Sequence, residues 1–283
     1  MNSLDKAILN TLIYADIFDY PLTAFEIHKY LISEKPYSKS QLQTALKKLS
    51  LIKKHQGFYY LKTRKSITSL RKNRTRISNQ KLKIAKKAAN ILKIIPSIQM
   101  ITITGALSMK NSSQQDDIDL MIITKSNTLW FTRLFAIFLL ELFGLRRRPH
   151  NSDPDQNNNK ICLNLFLDQS SLALAKNSQN LYTAHEVVQV MPIITKNNTH
   201  QQFLSANSWV LKHLPNTIIP HSNSVPKYTQ PSIFETLAFK LQYFYMKPKI
   251  TNEKITQSSA FFHPRQTSKI VLDQYKKLQQ LYL

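Results

Sequence analysis

The chain has 283 residues, 42% of them hydrophobic, which allows a substantial core and excludes a wholly disordered protein. Its 39 lysines and arginines against 16 acidic residues give a formal net charge of +23, which favours polyanionic partners: nucleic acid, nucleotides or an anionic membrane. The single cysteine, Cys162, excludes an intrachain disulfide. Together with an N-terminus unlike a signal peptide, it predicts a cytoplasmic protein.

The positive charge is concentrated in one part of the sequence. Residues 35–115, here called the acid-free stretch, contain 19 lysines and arginines and no Asp or Glu. A compositional bias of the genome would not remove acids from one stretch alone. We therefore expect a basic surface there, with RNA or DNA as its partner.

The first 62 residues predict three helices followed by a β-hairpin. Two capping boxes, Thr23-Ala-Phe-Glu26 and Ser38-Lys-Ser-Gln41, each mark the start of a helix. Gln56-Gly57 predicts the turn of the hairpin. The predicted helices span residues 4–18, 24–32 and 39–49.

This order of elements resembles the winged helix-turn-helix family over residues 4–62. The resemblance implies DNA binding by Lys47 and Lys48 on the third helix and by Lys53 and Lys54 on the hairpin. A packing or protein-contact module with solvated lysines is an equal alternative, because this kind of fold does not determine function.

Residues 64–96 predict a long basic helix that connects this region to the rest of the chain. Its apolar stripe is Ile84, Ala88, Ile91 and Ile95, a break is expected near Ser78, and Pro96 ends it. The cations outside the stripe are expected either on a solvated surface or along a phosphate backbone. They include Arg71, Arg74, Lys81, Lys86 and Lys87.

Beyond residue 96 the pattern alternates between strands and helices. Strands are predicted over 98–104, 118–124 and 161–167, and helices over 181–190, 200–214, 233–246 and 268–283. His185 lacks the partner of a zinc motif and is expected on an ordinary helix face.

The apolar segment 129–145 contains Arg133 and Glu141, which favours a buried helix over a membrane span. A peripheral membrane protein that uses residues 129–148 stays open as an alternative, without stable insertion into the bilayer. Arg146, Arg147 and Arg148 are expected to cap the end of this helix, where cations suit the helix dipole.

The sequence therefore predicts a multidomain α+β protein. Its expected parts are a winged helix over 1–63, a connecting helix over 64–96, an α/β core with a small mixed sheet over 97–180, and a helical region over 181–283.

Three aspartates stand between two β-branched runs, in the segment ITITGALSMKNSSQQDDIDLMIIT at 101–124. Alternate side chains of a strand share a face, so Asp117 and Asp119 point the same way while Ile118 and Leu120 pack on the other side. Two such carboxylates suit Mg²⁺ or Mn²⁺, which leave coordination positions for phosphate oxygens. Gly105, twelve residues earlier, lets the backbone approach those phosphates.

Over residues 98–168 this segment resembles the polymerase-beta-like nucleotidyltransferase superfamily, whose signature is a glycine turn followed by Asp-hydrophobic-Asp. The resemblance implies transfer of a nucleoside monophosphate from a nucleoside triphosphate to an acceptor. It assigns Asp117 and Asp119 as catalytic metal ligands. It also places the residues of the turn against the triphosphate: Gly105, Ala106, Ser108 and Lys110.

The sequence departs from that signature in several places. Ala106 replaces a usual Ser or Gly, Met109 and Lys110 replace an Arg-Gly pair, and Asn164 occupies the expected place of the third catalytic carboxylate, with Asp168 as a substitute. A catalytically inactive nucleic-acid-binding regulator is therefore the alternative function. The simplest alternative is that the aspartates only solubilise a loop.

Overall fold

The structure is a computed structural model that describes residues 1–148, 158–222, 230–250, 253–262 and 266–283. Within these ranges the chain is mixed α+β, with ten α-helices and two sheets. None of the described helices has the length and apolar character needed to cross a membrane. The helices are α1 Ser3–Asp16, α2 Ala24–Lys29, α3 Lys39–Lys48, α4 Thr68–Leu92, α5 Gly105–Ser108, α6 Leu129–Leu142, α7 Leu181–Gln189, α8 Thr199–Ala206, α9 Ile233–Met246 and α10 Gln266–Tyr282. The strands are β1 Leu22–Thr23, β2 Ile52–His55, β3 Phe58–Leu61, β4 Ile98–Ile103, β5 Ile118–Thr124, β6 Ile161–Asp168, β7 Met191–Thr195, β8 Lys254–Ile255 and β9 Ser259–Phe261.

Residues 3–61, here called the N-terminal unit, contain the three predicted helices and the hairpin, with β1 added to form a sheet of order β1-β3-β2. Both capping boxes are present: Thr23 Oγ1 accepts from the Glu26 N–H, and the Glu26 carboxylate accepts from the Thr23 N–H. Ser38 and Gln41 make the same reciprocal pair. These local signals were sufficient to locate both helix starts.

The central sheet has six strands in the order β7-β4-β5-β6-β9-β8. The pairs β4–β5 and β4–β7 are antiparallel and β5–β6 is parallel. Three of the four C-terminal helices have close to the expected bounds, whereas the one predicted over 200–214 ends at Ala206 and is followed by a 3-10 helix, Ser208–Lys212. Strands β7, β8 and β9 were not predicted, so residues 181–283 are not purely helical. Two of these strands have only two or three residues, which is too short to show a period of two.

Helices cover both faces of the central sheet. One face, which includes Ile101, Leu120 and Ile122, packs against α4 and α6. The other face, which includes Met121 and Leu167, belongs to a hydrophobic cluster shared with α1, α7 and α10. Asp119 alternates with Leu120, so its carboxylate lies on this second face, close to the N-terminal unit.

Helix α4 runs unbroken through the predicted break at Ser78. Ser78 is buried, and its hydroxyl accepts a hydrogen bond from the Ser112 N–H at 3.1 Å, so the polar side chain is satisfied without interrupting the helix. The packed stripe is slightly rotated from the predicted one and is made of alanine and leucine. Its fully buried members are Ala85, Ala88, Ala89 and Leu92.

Helix α7 joins the N-terminal unit to the rest of the molecule. His185 was expected on an ordinary helix face but is buried, and its ring stacks on Tyr14 of α1 with centroids 4.1 Å apart. Burial lowers the pKa of His185 to about 3, so the imidazole is neutral at physiological pH.

Candidate active site

The glycine turn after β4 brings the backbone directly against a carboxylate. Gly105 has φ +61, and a Cβ at this position would lie 2.8 Å from Asp119 Oδ2. The Thr104 N–H donates to the Asp119 carbonyl at 3.1 Å, which fixes the turn on β5. Any side chain at position 105 would therefore be strained and would also displace Asp119.

Asp117 and Asp119 lie close together with a third residue, Cys162. One potential ligand atom from each of the three lies within 4.8 Å of the others, and all three side chains are half-buried. Cys162 is opposite Asp119 in the parallel β5–β6 register. The sequence indicated the aspartate pair, but Cys162 could not be placed without that register.

Cys162 is a thiol in this environment rather than a thiolate. Burial and the charges of Asp119 and Asp117 raise its pKa well above the usual range. The donor set for a hard cation is therefore the two carboxylates, and the thiol forms the neighbouring wall. Two carboxylates suit Mg²⁺, which completes its coordination with water and phosphate.

A guanidinium lies at the edge of this cluster. Arg147 Nη1 is 2.6 Å from Asp117 Oδ2 and 3.7 Å from Cys162 Sγ. Arg147 was predicted only as a cation that caps the preceding helix. Burial, the largest single effect, would lower its pKa, but Asp117, Cys162 and Asp119 together outweigh burial and raise the pKa of Arg147, so it stays cationic.

The loop between the glycine turn and Asp117 is held from two sides. Buried Lys81 of α4 donates to the carbonyls of Gln114, at 3.1 Å, and Asp116. From the N-terminal unit, the Tyr20 hydroxyl donates to the Met109 carbonyl at 2.6 Å. Lys81 was expected on a solvated or phosphate-binding surface, which is wrong; the loop carbonyls satisfy its ammonium group instead.

Asp116 differs from its two neighbours. Its carboxylate accepts from Ser113 N at 2.8 Å and from Ser113 Oγ at 2.6 Å, so it stabilises the loop. Of these three aspartates, Asp117 and Asp119 belong to the cluster that could hold a metal, and Asp116 does not.

The predicted triphosphate residues have different environments. Ala106 and Lys110 are exposed beside the turn, whereas the Ser108 hydroxyl is buried and donates to the Gly105 carbonyl at 2.8 Å. Ser108 therefore stabilises the turn, and Lys110 is the available cation.

The two candidates for a third carboxylate position lie elsewhere. Asn164 is at an irregularity in the β5–β6 register, two residues beyond Cys162, and is buried. Asp168 is at the far end of β6, opposite Thr124, and accepts from Ser170 N at 2.6 Å. Asp168 therefore caps the short 3-10 helix Gln169–Ser171 that follows β6.

A cavity of about 770 Å³ opens on the same face of the sheet. It is lined by Thr104, which precedes the glycine turn, by Asn164 and by Tyr182. Burial raises the pKa of Tyr182, with smaller contributions from Glu186 and Asp119, which places its phenol in the electrostatic field of the site. The floor is apolar and includes Met121, Leu165, Leu167, Val187 and Phe203. A cavity of this size and character suits a small organic molecule.

The acid-free stretch contains two kinds of cation. Three of its arginines face acids that precede it in the sequence: Arg64 is 2.9 Å from Asp16, Arg71 is 2.8 Å from Glu26, and Arg74 lies near Asp19. The four predicted nucleic-acid contacts, Lys47, Lys48, Lys53 and Lys54, are all exposed. Arg71, expected on the outer surface, is instead buried against the Tyr20 ring, 3.6 Å from its centroid.

Comparison with known proteins finds no match to this chain among family models, curated proteins or solved structures. The residues of the site itself must therefore carry the functional inference.

Proposed function

We propose that the chain is a Mg²⁺-dependent nucleotidyltransferase, with Mn²⁺ as an alternative ion. The observation that carries this proposal is the placement of Asp119 against the Gly105 turn, with the ligand atoms of Asp117 and Asp119 close enough to share one cation. The wider resemblance to the polymerase-beta-like superfamily, and that of the N-terminal unit to a winged helix, belong to the same proposal, as does a cytoplasmic location.

In this proposal Asp117 and Asp119 hold the ion, which supplies neutralising charge for the phosphates of the nucleoside triphosphate. Gly105 allows the triphosphate close to the backbone, and Lys110 provides a further positive charge. Arg147 neutralises Asp117, and its guanidinium is within reach of a phosphate group that approaches the same carboxylate.

The cavity beside the site supports a small organic acceptor better than a polynucleotide. It is bounded by the sheet, α7 and α10, and its apolar floor and volume of about 770 Å³ suit one small molecule, whereas a nucleic-acid strand needs a long path; Lys254, Lys269 and Lys276 on its lining suit an anionic group on that molecule. RNA or DNA at the exposed lysines is then a separate binding event.

The proposal is tested by incubating the protein with Mg²⁺, labelled nucleoside triphosphates and a mixed pool of small molecules and RNA. Mass spectrometry should detect a nucleotidylated product that disappears in Asp119→Asn. The absence of any product with every triphosphate would contradict the enzymatic proposal.

The second candidate is a catalytically inactive regulator that binds nucleic acid. Cys162 favours it, because a protonated thiol stands opposite Asp119 in the strand register. Nucleotide binding without transfer, combined with binding of duplex DNA by the N-terminal unit, would support this candidate.

A further inference from the structure

Helices α6 and α9 expose two stripes of large apolar side chains, here called the apolar face. Its ten side chains are each between 46% and 85% exposed. They are Phe131, Phe135, Phe138 and Leu142 on α6, and Ile233, Phe234, Leu237, Leu241, Phe244 and Tyr245 on α9.

Three polar side chains lie at the contact between the same two helices. Buried Glu235 accepts from the N–H groups of Trp130 and Phe131 at 2.7 and 3.0 Å, and Arg133 Nη1 donates to Gln242 Oε1 at 2.6 Å. These bonds fix α9 against α6. At this contact the helices bury polar groups together with apolar ones such as Trp130 and Ala238, yet they also expose phenylalanine and leucine on the opposite side.

The exposed apolar area is too large for an ordinary monomer surface. At the usual size of these side chains, the ten together expose on the order of 1,000 Å². The largest patch on a typical soluble monomer is about 300–600 Å². Such a face requires a partner or a surface to cover it.

The charges beside the apolar face are mainly positive. Lys240 on α9 and Lys247 directly after it are exposed, and the only acid of α9 is the buried Glu235. On α6, Glu141 is bonded to Arg148 and lies 3.7 Å from Arg146. The described residues of the two helices and their flanks therefore present an apolar surface with a basic rim.

We propose that the apolar face docks on the surface of an anionic lipid bilayer. Helices that lie in the membrane interface combine phenylalanine and leucine on one side with lysine and arginine beside them. Each helix has 14 residues, about 21 Å of length against the roughly 30 Å of a bilayer core, so the helices lie along the interface.

The observations favour lipid over the two protein alternatives. A second copy would bring Lys240 and Lys247 of one chain near those of another, and the net charge of +23 adds repulsion. A protein interface typically makes about one hydrogen bond per 100–200 Å², yet Tyr245 is the only one of the ten side chains with a polar atom.

The test is co-sedimentation of the full chain with vesicles of phosphatidylcholine alone and of phosphatidylcholine with phosphatidylglycerol in equal parts. We expect binding to the anionic vesicles and much weaker binding to the neutral ones. Phe135→Ser with Phe138→Ser, and separately Leu237→Ser with Leu241→Ser, should each weaken binding to the vesicles by about tenfold or more. Each pair removes apolar area that the bilayer would otherwise bury.

Two matched controls separate this proposal from simple charge attraction. Ile94→Ser with Ile218→Ser removes exposed apolar side chains elsewhere and should leave binding unchanged. Lys240→Glu with Lys247→Glu changes the net charge by the same amount as Lys47→Glu with Lys48→Glu. The first pair should weaken binding more, because it lies beside the apolar face.

Three results would overturn the proposal. They are absence of binding to anionic vesicles, binding that the serine variants leave intact, and a dimer seen by light scattering that the serine variants convert to monomer. Circular dichroism verifies the fold of each variant, and all substituted side chains are exposed.

Discussion

Two arginine–carboxylate pairs show how differently the same interaction is used in this molecule. Arg71 is buried against the Tyr20 ring, the Glu26 side chain is 16% exposed, and Tyr20 and Thr23 also donate hydrogen bonds to the Glu26 carboxylate. Arg147 and Asp117 are closer together, at 2.6 Å, but the arginine is 36% exposed and its acid lies in a cluster with Asp119 and Cys162. The first pair is enclosed and the second adjoins a site that can admit a ligand.

An arginine–carboxylate pair therefore does not by itself indicate a functional site; the groups that surround the pair do. On the enclosed side each charge has a fixed protein partner, which favours stability. Beside Arg147, the carboxylates of Asp117 and Asp119 lie close together next to the Gly105 turn and the cavity. Bringing two negative charges together favours the binding of a cation. Removing charges should therefore destabilise the first region and mainly alter binding in the second.

The largest expected effect is loss of stability when the enclosed pair is broken. Arg71→Met should lower the free energy of unfolding by about 3 kcal/mol, because it leaves the Glu26 carboxylate, only 16% exposed, without the guanidinium that neutralises it. Arg147→Gln should cost less than about 1 kcal/mol, since the Arg147 side chain is 36% exposed and solvent screens its charge. Urea unfolding of both variants measures the difference; equal losses would break the comparison.

Next in size is a dependence of stability on pH that arises from His185, which is buried against Tyr14 of the N-terminal unit. His185 has a folded pKa of about 3 against an ordinary 6.5, so only the unfolded chain takes up its proton in between. Its contribution is present above pH 6.5 and is lost as the pH falls, by about 2 kcal/mol at pH 5. His185→Gln should remove this component, and urea midpoints at pH 7 and pH 5 for both proteins measure it. An unchanged pH difference in the variant would contradict a buried neutral imidazole.

Lys81 connects the two regions, because it belongs to α4 and holds the loop before Asp117. Lys81→Met should reduce stability by about 1.5 kcal/mol, since it leaves the Gln114 and Asp116 carbonyls without their donor. It should also weaken Mg²⁺-dependent nucleotide binding by loosening the loop. Lys83→Met, on an exposed position of the same helix, is the control and should do neither. Normal stability and normal nucleotide binding in Lys81→Met would show that the loop before Asp117 keeps its conformation without Lys81.

The smallest expected effect concerns the exposed lysines. Since three arginines of the acid-free stretch face acids, lysines are its main cations available to polyanions. If Lys47 and Lys48 contact duplex DNA, reversing both to Glu should lower the slope of log affinity against log salt by about 2. Anisotropy measures this slope. Lys86→Glu with Lys87→Glu is the matched pair on α4, and an equal decrease there would indicate binding without a preferred surface.

Local signals in the sequence were sufficient for part of this fold and site. Thr23 with Glu26 marks a helix start within four residues, and the spacing of Asp117, which directly precedes β5, and Asp119, within β5, indicated that their carboxylates lie close together. Cys162 becomes a neighbour of Asp119 only through the parallel β5–β6 register. Such partners depend on which segments meet in three dimensions, and no local pattern specifies that.

Lys81 and Arg147 show the same limit for charged side chains. A helical pattern assigns a lysine to the outside unless a partner is known, and the partners of Lys81 are loop carbonyls more than thirty residues away. The partner of Arg147 precedes β5, thirty residues earlier in the chain.

The central claim is that Asp117 and Asp119 jointly hold a divalent ion against a nucleoside triphosphate. Calorimetry with each of the four ribonucleoside triphosphates tests it most directly, in Mg²⁺ and in EDTA, for the wild-type chain, Asp119→Asn and Asp116→Asn. We expect at least one triphosphate to bind about tenfold or more tightly with Mg²⁺, and Asp119→Asn to lose that gain. Asp116→Asn, whose carboxylate bonds only within the loop, should retain it. Equal affinity in Mg²⁺, in EDTA and in both variants would contradict the claim.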